Sequence, residues 1–380
     1  MTRARDNSAI LSTAPTSSGA ILQTDLTKTN NFSWAGPEFM PGRNKFLNGD
    51  FSVWQRGGTF SFTSANSYGY AADRWFCQSY VGDGGSGSNT LTVTQQTFTP
   101  GSAPVAGYEG SYFLRYALSA VGTLGTTNGM QRVQQNLEDV RTFAGQTVTV
   151  SFWAKAAVAT NITVCLQQQF GTGGSPTVNV PGSVTSIPIT TSWARYSSTF
   201  SLPSIAGQTI GTGSLLEIAI VSYKQDNITF SYPSGQFGTN TPITLDLWGM
   251  QIESGSSVSP FTSSGGNYNS ELQLCQKYYW RSYSSGTNNP LTITGICNGS
   301  LSIFIQNPVP MRISSGFVID FSNIVVLDTA STYPITAGTA TQVNSLITSF
   351  NLTASGLTAY RPALVGSGSG GGWIGVSADI

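Results

Sequence analysis

The chain reads as all-β: a jelly-roll β-sandwich preceded by an extended N-terminal arm and followed by a smaller C-terminal β-domain, with one short helix between them. Three observations predict this. From residue 45 onward, Gly, Asn, Pro and Ser recur roughly every 8 to 12 residues, the turn spacing of a sandwich or jelly roll. Between the turns, apolar and polar residues alternate with the period of two that a half-buried strand requires. Charged residues are only 9% of the chain, against roughly 25% in ordinary soluble domains, while Gly reaches 43 residues and aromatics 11%.

Residues 1–44 carry Ser, Thr, Asn, Gly and Pro around small apolar clusters at Ile10, Leu11, Ile21, Leu22, Phe32 and Trp34. Such a segment cannot bury enough apolar area to offset its ordering entropy. It is expected to be an extended arm ordered on a partner, or else a solvated tail. The folded body begins at Asn48-Gly49-Asp50-Phe51-Ser52-Val53-Trp54-Gln55-Arg56-Gly57, where turn residues lead into a short strand apolar on both faces, answered by Ala72-Asp73-Arg74-Trp75. Strands are expected at 73–81, 89–98, 111–119, 129–137, 146–155, 161–170, 194–201, 214–223 and 243–253. In 146–155, Val148, Val150 and Phe152 share one face and Thr147, Thr149 and Ser151 the other. In 243–253, Leu245, Leu247, Gly249, Gln251 and Glu253 alternate with Asp246, Trp248, Met250 and Ile252. A helix capped by Ser270 follows, with Leu272, Cys275 and Tyr279 on one stripe. The domains are therefore 1–44 (arm), 45–267 (jelly roll), 268–282 (linking helix) and 283–380. The last is expected to hold strands at 291–297, 300–306, 316–321, 324–327, 345–354 and 373–378, with Asn307-Pro308-Val309-Pro310 as an irregular link.

Charge and residue type exclude several functions. The 17 basic and 17 acidic residues cancel, which speaks against nucleic acid and anionic membrane surfaces as partners, since both are bound through excess Lys and Arg. The chain has no histidine, which removes Ser/His/Asp and Cys/His catalysis and the common zinc sites. Cys77 and Cys165 lie in apolar runs and read as buried thiols; a Cys275–Cys297 bridge stays open. The first residues lack the apolar stretch of a secretory signal, and no run is long enough to span a bilayer, so no membrane insertion is expected.

Paired carboxylates are the remaining catalytic possibility, drawn from Asp50, Asp73, Asp83, Glu138, Asp139, Asp246 and Glu253, but each has a plainer reading as an ion pair or turn cap. The expectation is no enzyme. Sugar binding needs rings that cover the apolar faces of a pyranose. Tyr68, Tyr70, Tyr80, Tyr108, Tyr232 and Phe237, in or beside Gly-rich loops, are the candidates, whereas Trp54, Trp75, Trp153, Trp193 and Trp248 sit in strand patterns and read as core.

The segments 48–57 and 72–75, with Val148-Thr149-Val150-Ser151-Phe152-Trp153-Ala154-Lys155, Thr190-Thr191-Ser192-Trp193-Ala194-Arg195-Tyr196-Ser197, Leu245-Asp246-Leu247-Trp248-Gly249-Met250-Gln251-Ile252-Glu253 and Leu274-Cys275-Gln276-Lys277-Tyr278-Tyr279, resemble a family of bacteriophage virion proteins. Its members are tail-fibre or other appendage proteins with a domain similar to carbohydrate-binding jelly rolls. The resemblance covers about 48–280 and the segments keep the family's order. It implies a structural appendage of a virion, anchored to tail, collar or capsid proteins through residues 1–44, assembled as a homotrimer, released by lysis, and in contact with host surface polysaccharide without cleaving it. It also implies a structural calcium between first and last strands, for which Asp50 and Asp246 are the candidates. A glycan-binding module of a bacterial secreted system and a polysaccharide depolymerase are the alternatives.

Overall fold

In the computed structural model, alternation in the sequence becomes two antiparallel sheets packed face to face, then a closed barrel. The described residues are the strands β1 (Ile21–Thr24) and β2 (Phe32–Ala35) with residues 42–105, 108–182, 185–225, 236–287, 290–297, 301–312, 318–327 and 331–379. The two arm strands pair antiparallel, Ile21 opposite Ala35.

One sheet of the sandwich has seven strands. Its order is β11 (Val178–Asn179), β10 (Thr160–Gln169), β14 (Leu215–Lys224), β8 (Met130–Leu137), β5 (Phe76–Tyr80) and β4 (Asn66–Tyr70), and β12 (Ile187–Ile189) also pairs with β10. The other has six: β13 (Ala194–Ser201), β9 (Thr147–Ala156), β15 (Ile243–Ser254), β7 (Tyr112–Ala120), β6 (Asn89–Thr97) and β3 (Thr59–Ser64). Val148, Val150 and Phe152 face Ile162, Val164 and Leu166 across the core, as period two requires. β9 is buried on both faces, because Trp153, Trp248, Phe98, Phe113 and Phe261 form a second apolar cluster outside the six-stranded sheet.

β15 departs from strict alternation. Leu245 and Leu247 face the core, and so do Met250 and Ile252. The register against β9 shifts between Trp248 and Gln251. Gly249 has φ +62°, and a Cβ there would lie 2.6 Å from Trp153 Cε3. This bulge turns the second half of the strand over, so the two faces read from the sequence exchange at Gly249.

The opening segment is a folded turn, not a strand. Positive φ falls on Asn48 (55°) and Phe51 (53°). Gly49 is required for closeness, since a Cβ there would sit 2.3 Å from the Met250 carbonyl oxygen. The Asn48 amide donates to the carbonyls of Val53 (2.8 Å) and Asp73 (3.0 Å). Its carbonyl accepts from Trp75 Nε1 at 2.9 Å. Segments 48–57 and 72–75 are thus tied to each other and, through Gly49 and Met250, to the last strand of the sandwich.

The helix α1 spans Tyr268–Gln276 and is capped by Asn267, whose Oδ1 accepts from Ser270 N at 3.1 Å. Asn267 thus takes the role expected of Ser270. The linking segment is shorter than 268–282, because β16 (Tyr279–Ser284) already pairs with β24 (Gly372–Ser377), which pairs with β19 (Val318–Ser322). The strands β17 (Pro290–Cys297), β18 (Leu301–Gln306), β22 (Ile347–Ala354), β21 (Thr332–Asn344), β20 (Ile324–Leu327) and β23 (Pro362–Ser367) close into a six-stranded barrel. Cys77, Cys165, Cys275 and Cys297 are all buried and none is in a disulfide, so Cys275 and Cys297 are not bridged.

Sandwich and barrel meet at a charged joint. Asp379, whose side chain is almost inaccessible, pairs with Arg56 and with Arg74 Nη1 at 3.3 Å. The Arg56 guanidinium stacks 3.4 Å from the Tyr279 ring centroid and that of Arg74 3.5 Å from Tyr278. Ala378 N donates to the Tyr278 carbonyl at 2.7 Å. On the far side, Glu138 accepts from Arg312 and from the Tyr278 hydroxyl at 3.1 Å. Asp73 therefore does not form the local pair with Arg74 expected from adjacency; its carboxylate accepts from Gln55. Burial pushes its pKa up to about 6, against the opposing pull of Arg56.

Candidate functional site

The outward face of the seven-stranded sheet gathers chemistry that its strands carry separately in sequence. Register aligns Tyr68 with Gln78 and Gln78 with Arg132 across β4, β5 and β8. Two rows along, Asn136 faces Glu217 and Glu217 faces Gln167 across β8, β14 and β10. The opposite faces of these strands fill the core with Cys77, Val133, Leu166 and Ile218, so the polar and aromatic side chains must point away from it.

Three rings form a ledge at the β4–β5 edge. Tyr68 is 53% exposed, and Phe76 lies between Tyr68 and Tyr70, with centroid separations of 5.7 and 5.5 Å. Beside the ledge runs a hydrogen-bonded polar row. Arg132 donates through Nε to Gln78 Oε1 at 2.9 Å and through Nη1 to Glu217 Oε1 at 3.1 Å. Gln169 Nε2 donates to Glu217 Oε2 at 2.8 Å. Tyr80, Asn128, Met130 and Gln167 join this row around a cavity of about 150 Å³. Burial raises the Glu217 pKa, opposed by Arg132, and lowers that of Arg132. At the rim, the Tyr80 hydroxyl, Asn128 and Thr127 hold the exposed Asp83 carboxyl below its usual range.

The residues predicted as sugar contacts separate into groups. Tyr68, Tyr70 and Tyr80 fall on this face. Tyr70 is half-buried, with the Arg56 guanidinium 5.4 Å from its centroid, so only Tyr68 offers a largely open ring. Tyr108 is elsewhere, packed edge-on against Trp248 and Phe261. Phe237 is half-buried at a bridge opposite Lys224. Tyr232 lies outside the described residues. Of the tryptophans read as core, Trp75, Trp153 and Trp248 are buried, while Trp54 and Trp193 are half-buried.

The calcium pair does not come together. Asp246 binds Arg115 Nε at 2.7 Å and lies 3.6 Å from Lys155 Nζ. Asp50 follows Gly49, whose carbonyl pairs with Met250 four residues along β15, a separation of roughly 13 Å. Calcium ligands lie within about 2.6 Å of the ion. Among the described residues, no group of three or more His, Cys, Asp or Glu residues could hold a metal.

Phe76, Gln78, Arg132, Gln167, Gln169 and Glu217 were missed by sequence reasoning. A signal was available: Arg132 and Gln134 flank the core residue Val133, and Gln167-Gln168-Gln169 follows the apolar run Val164-Cys165-Leu166. Polar side chains on central strands need partners, and those partners mark a built surface.

No family model and no curated protein matches the chain. Solved structures do. The CBM22-1 xylan-binding domain of Paenibacillus barcinonensis Xyn10C is 12% identical at a TM-score of 0.30, over 57% of this chain and 98% of that domain. The family 11 carbohydrate-binding module of the cellulosomal cellulase Lic26A-Cel5E of Clostridium thermocellum is 13% identical at 0.28, over 56% and 96%. The enzymatically active domain of tailspike protein 4 of Bacteriophage CBA120 is 12% identical at 0.28, over 56% of this chain and 21% of that one. At these TM-scores no residue role passes to this chain from these similarities.

Proposed function

We propose that this protein binds glycan without cleaving it, through the outward face of the seven-stranded sheet, as a structural appendage of a phage virion. The observation that carries the binding reading is the exposed Tyr68 ring beside the Gln78–Arg132–Glu217–Gln169 row: an apolar platform next to fixed donors and acceptors. The absence of catalysis is supported by Glu217, whose two oxygens are held by Arg132 and Gln169. A glycosidase needs two carboxyl groups about 5 to 10 Å apart across the bond to be cut. The appendage reading, with anchoring through residues 1–44 and homotrimeric assembly, is supported by the family resemblance of segments 48–57, 72–75 and 245–253. A trimer multiplies a weak site by avidity.

Calorimetric titration of the purified chain with host surface polysaccharide tests the binding reading. Tyr68→Ala should weaken binding roughly tenfold, about 1.4 kcal/mol, with an unchanged Tm. Full affinity in that variant refutes the face, and release of reducing ends refutes the absence of catalysis. Antibody labelling of particles tests the appendage: unlabelled virions would refute it.

A further inference from the structure

A cleft of about 730 Å³ opens at the end of the six-stranded sheet, and it shares no lining residue with the sheet cavity. It falls within the roughly 300–1,000 Å³ of ordinary ligand pockets. The turn after Gly49, the segment before β7 and the start of α1 build it. Trp54, Tyr108, Tyr112 and Tyr268 supply its rings.

Two of these rings are fixed before any ligand arrives. Trp54 Nε1 donates to the Phe51 carbonyl at 2.6 Å, and its ring stacks on Phe60. Tyr108 is wedged edge-on against Trp248 and Phe261, with centroids at 5.4 and 5.6 Å. Tyr268, 55% exposed on the first turn of α1, stands at the mouth. The hydrogen-bonding groups differ in availability. Glu271 is committed to the fold, because its two oxygens accept from the backbone N–H groups of Asn48 and Gly265. Asp50 accepts from Ser52 through Oδ1, and Glu109 from Gly101 through Oε2 at 3.1 Å. Gln95, Ser111, Ser263 and Asn267 add neutral donors and acceptors, and among the described residues no Lys or Arg lines the cleft.

Rings held at fixed angles, carboxylate acceptors and neutral amides suit the faces and hydroxyls of pyranose rings. Carboxylates without a facing base repel anions. We infer that this cleft is a second carbohydrate site, independent of the sheet face, selective for uncharged oligosaccharides over acidic ones.

The test follows the tryptophan indole NMR signals of the full chain, with Trp54 assigned through Trp54→Phe. The ligands are neutral hexasaccharides of glucan, xylan and galactan, an oligogalacturonate, and a deacetylated chitosan oligomer. At least one neutral oligosaccharide should shift the Trp54 indole. Tyr268→Ala and Glu109→Gln, both at exposed positions, should weaken that interaction at least tenfold with unchanged Tm, while Tyr68→Ala leaves it intact. The inference is overturned if no neutral oligosaccharide moves the Trp54 signal, or if Tyr268→Ala binds as tightly as the parent. It is also overturned if the acidic or the amine-bearing oligomer binds more tightly than every neutral one.

Discussion

Replacing Asp379 by Ala should loosen the whole molecule from a single position near the end of the barrel domain. In the parent, this carboxylate is 4% exposed and meets two arginines, Arg56 at 12% and Arg74 at 2%. Without it, both guanidinium groups stay under their tyrosine rings with their closest carboxylate gone, Arg56 left facing Asp73 and Arg74 keeping its Nη2 bond to the Asn136 carbonyl. Breaking one partner of a buried ion pair costs about 3–5 kcal/mol, more than the pair itself adds, because the orphaned charge cannot return to water. With a urea dependence of about 3 kcal/mol per molar, the unfolding midpoint should fall by roughly 1–1.7 M. Tryptophan fluorescence in urea reads this directly. In an Arg56→Met background, the same substitution should cost less, since one orphan is already gone. A midpoint change below about 0.2 M, or equal costs in the two backgrounds, would refute the view that Asp379 locks the domains.

Two other outcomes follow from the same joint and from the core. Asp73 titrates near 3.8 as a free side chain and near about 6 in the fold, so the folded state binds the proton more tightly. Its contribution to stability is complete below about pH 4 and is lost as the pH rises to about 6. The change is on the order of 3 kcal/mol, and urea midpoints against pH should show this decline in the parent and a shallower one in Asp73→Asn. Gly249→Ala combines a φ of +62° with a Cβ contact at 2.6 Å to Trp153. It should destabilise by about 2 kcal/mol or more and lower the Tm by roughly 4–8 °C; an unchanged Tm would remove the bulge as the reason for glycine.

What the sequence disclosed depended on whether a residue's environment comes from its own strand or from a distant one. β13 and β20 are legible because turn residues bound short runs of regular pattern. β3 and β4 are not, because they lie at sheet edges, where Phe60 and Phe62 alternate among exposed Thr and Ser too weakly to stand out. β21, with its long polar stretch, owes its place to pairing on both sides in the barrel, which no local pattern encodes. The same holds for the site. Tyr68, Tyr70 and Tyr80 stand out in the sequence because rings near glycines are visible one at a time. Arg132 and Glu217 lie 85 residues apart, and only the register of β8 against β14 makes them partners.

The joint also has a consequence in time. Arg74 and Asp379 are separated by 305 residues, which a ribosome working at 5–20 residues per second takes roughly 15–60 s to add. The sandwich is complete once β15 ends at Ser254, so for the last part of that interval, while residues 255–379 are added, it displays Arg56 and Arg74 without the Asp379 carboxylate. The nascent chain therefore passes through a stage in which its first large domain is formed but unlatched. Synthesis halted before residue 379 leaves it in that weaker state, open to the proteases that remove incomplete products.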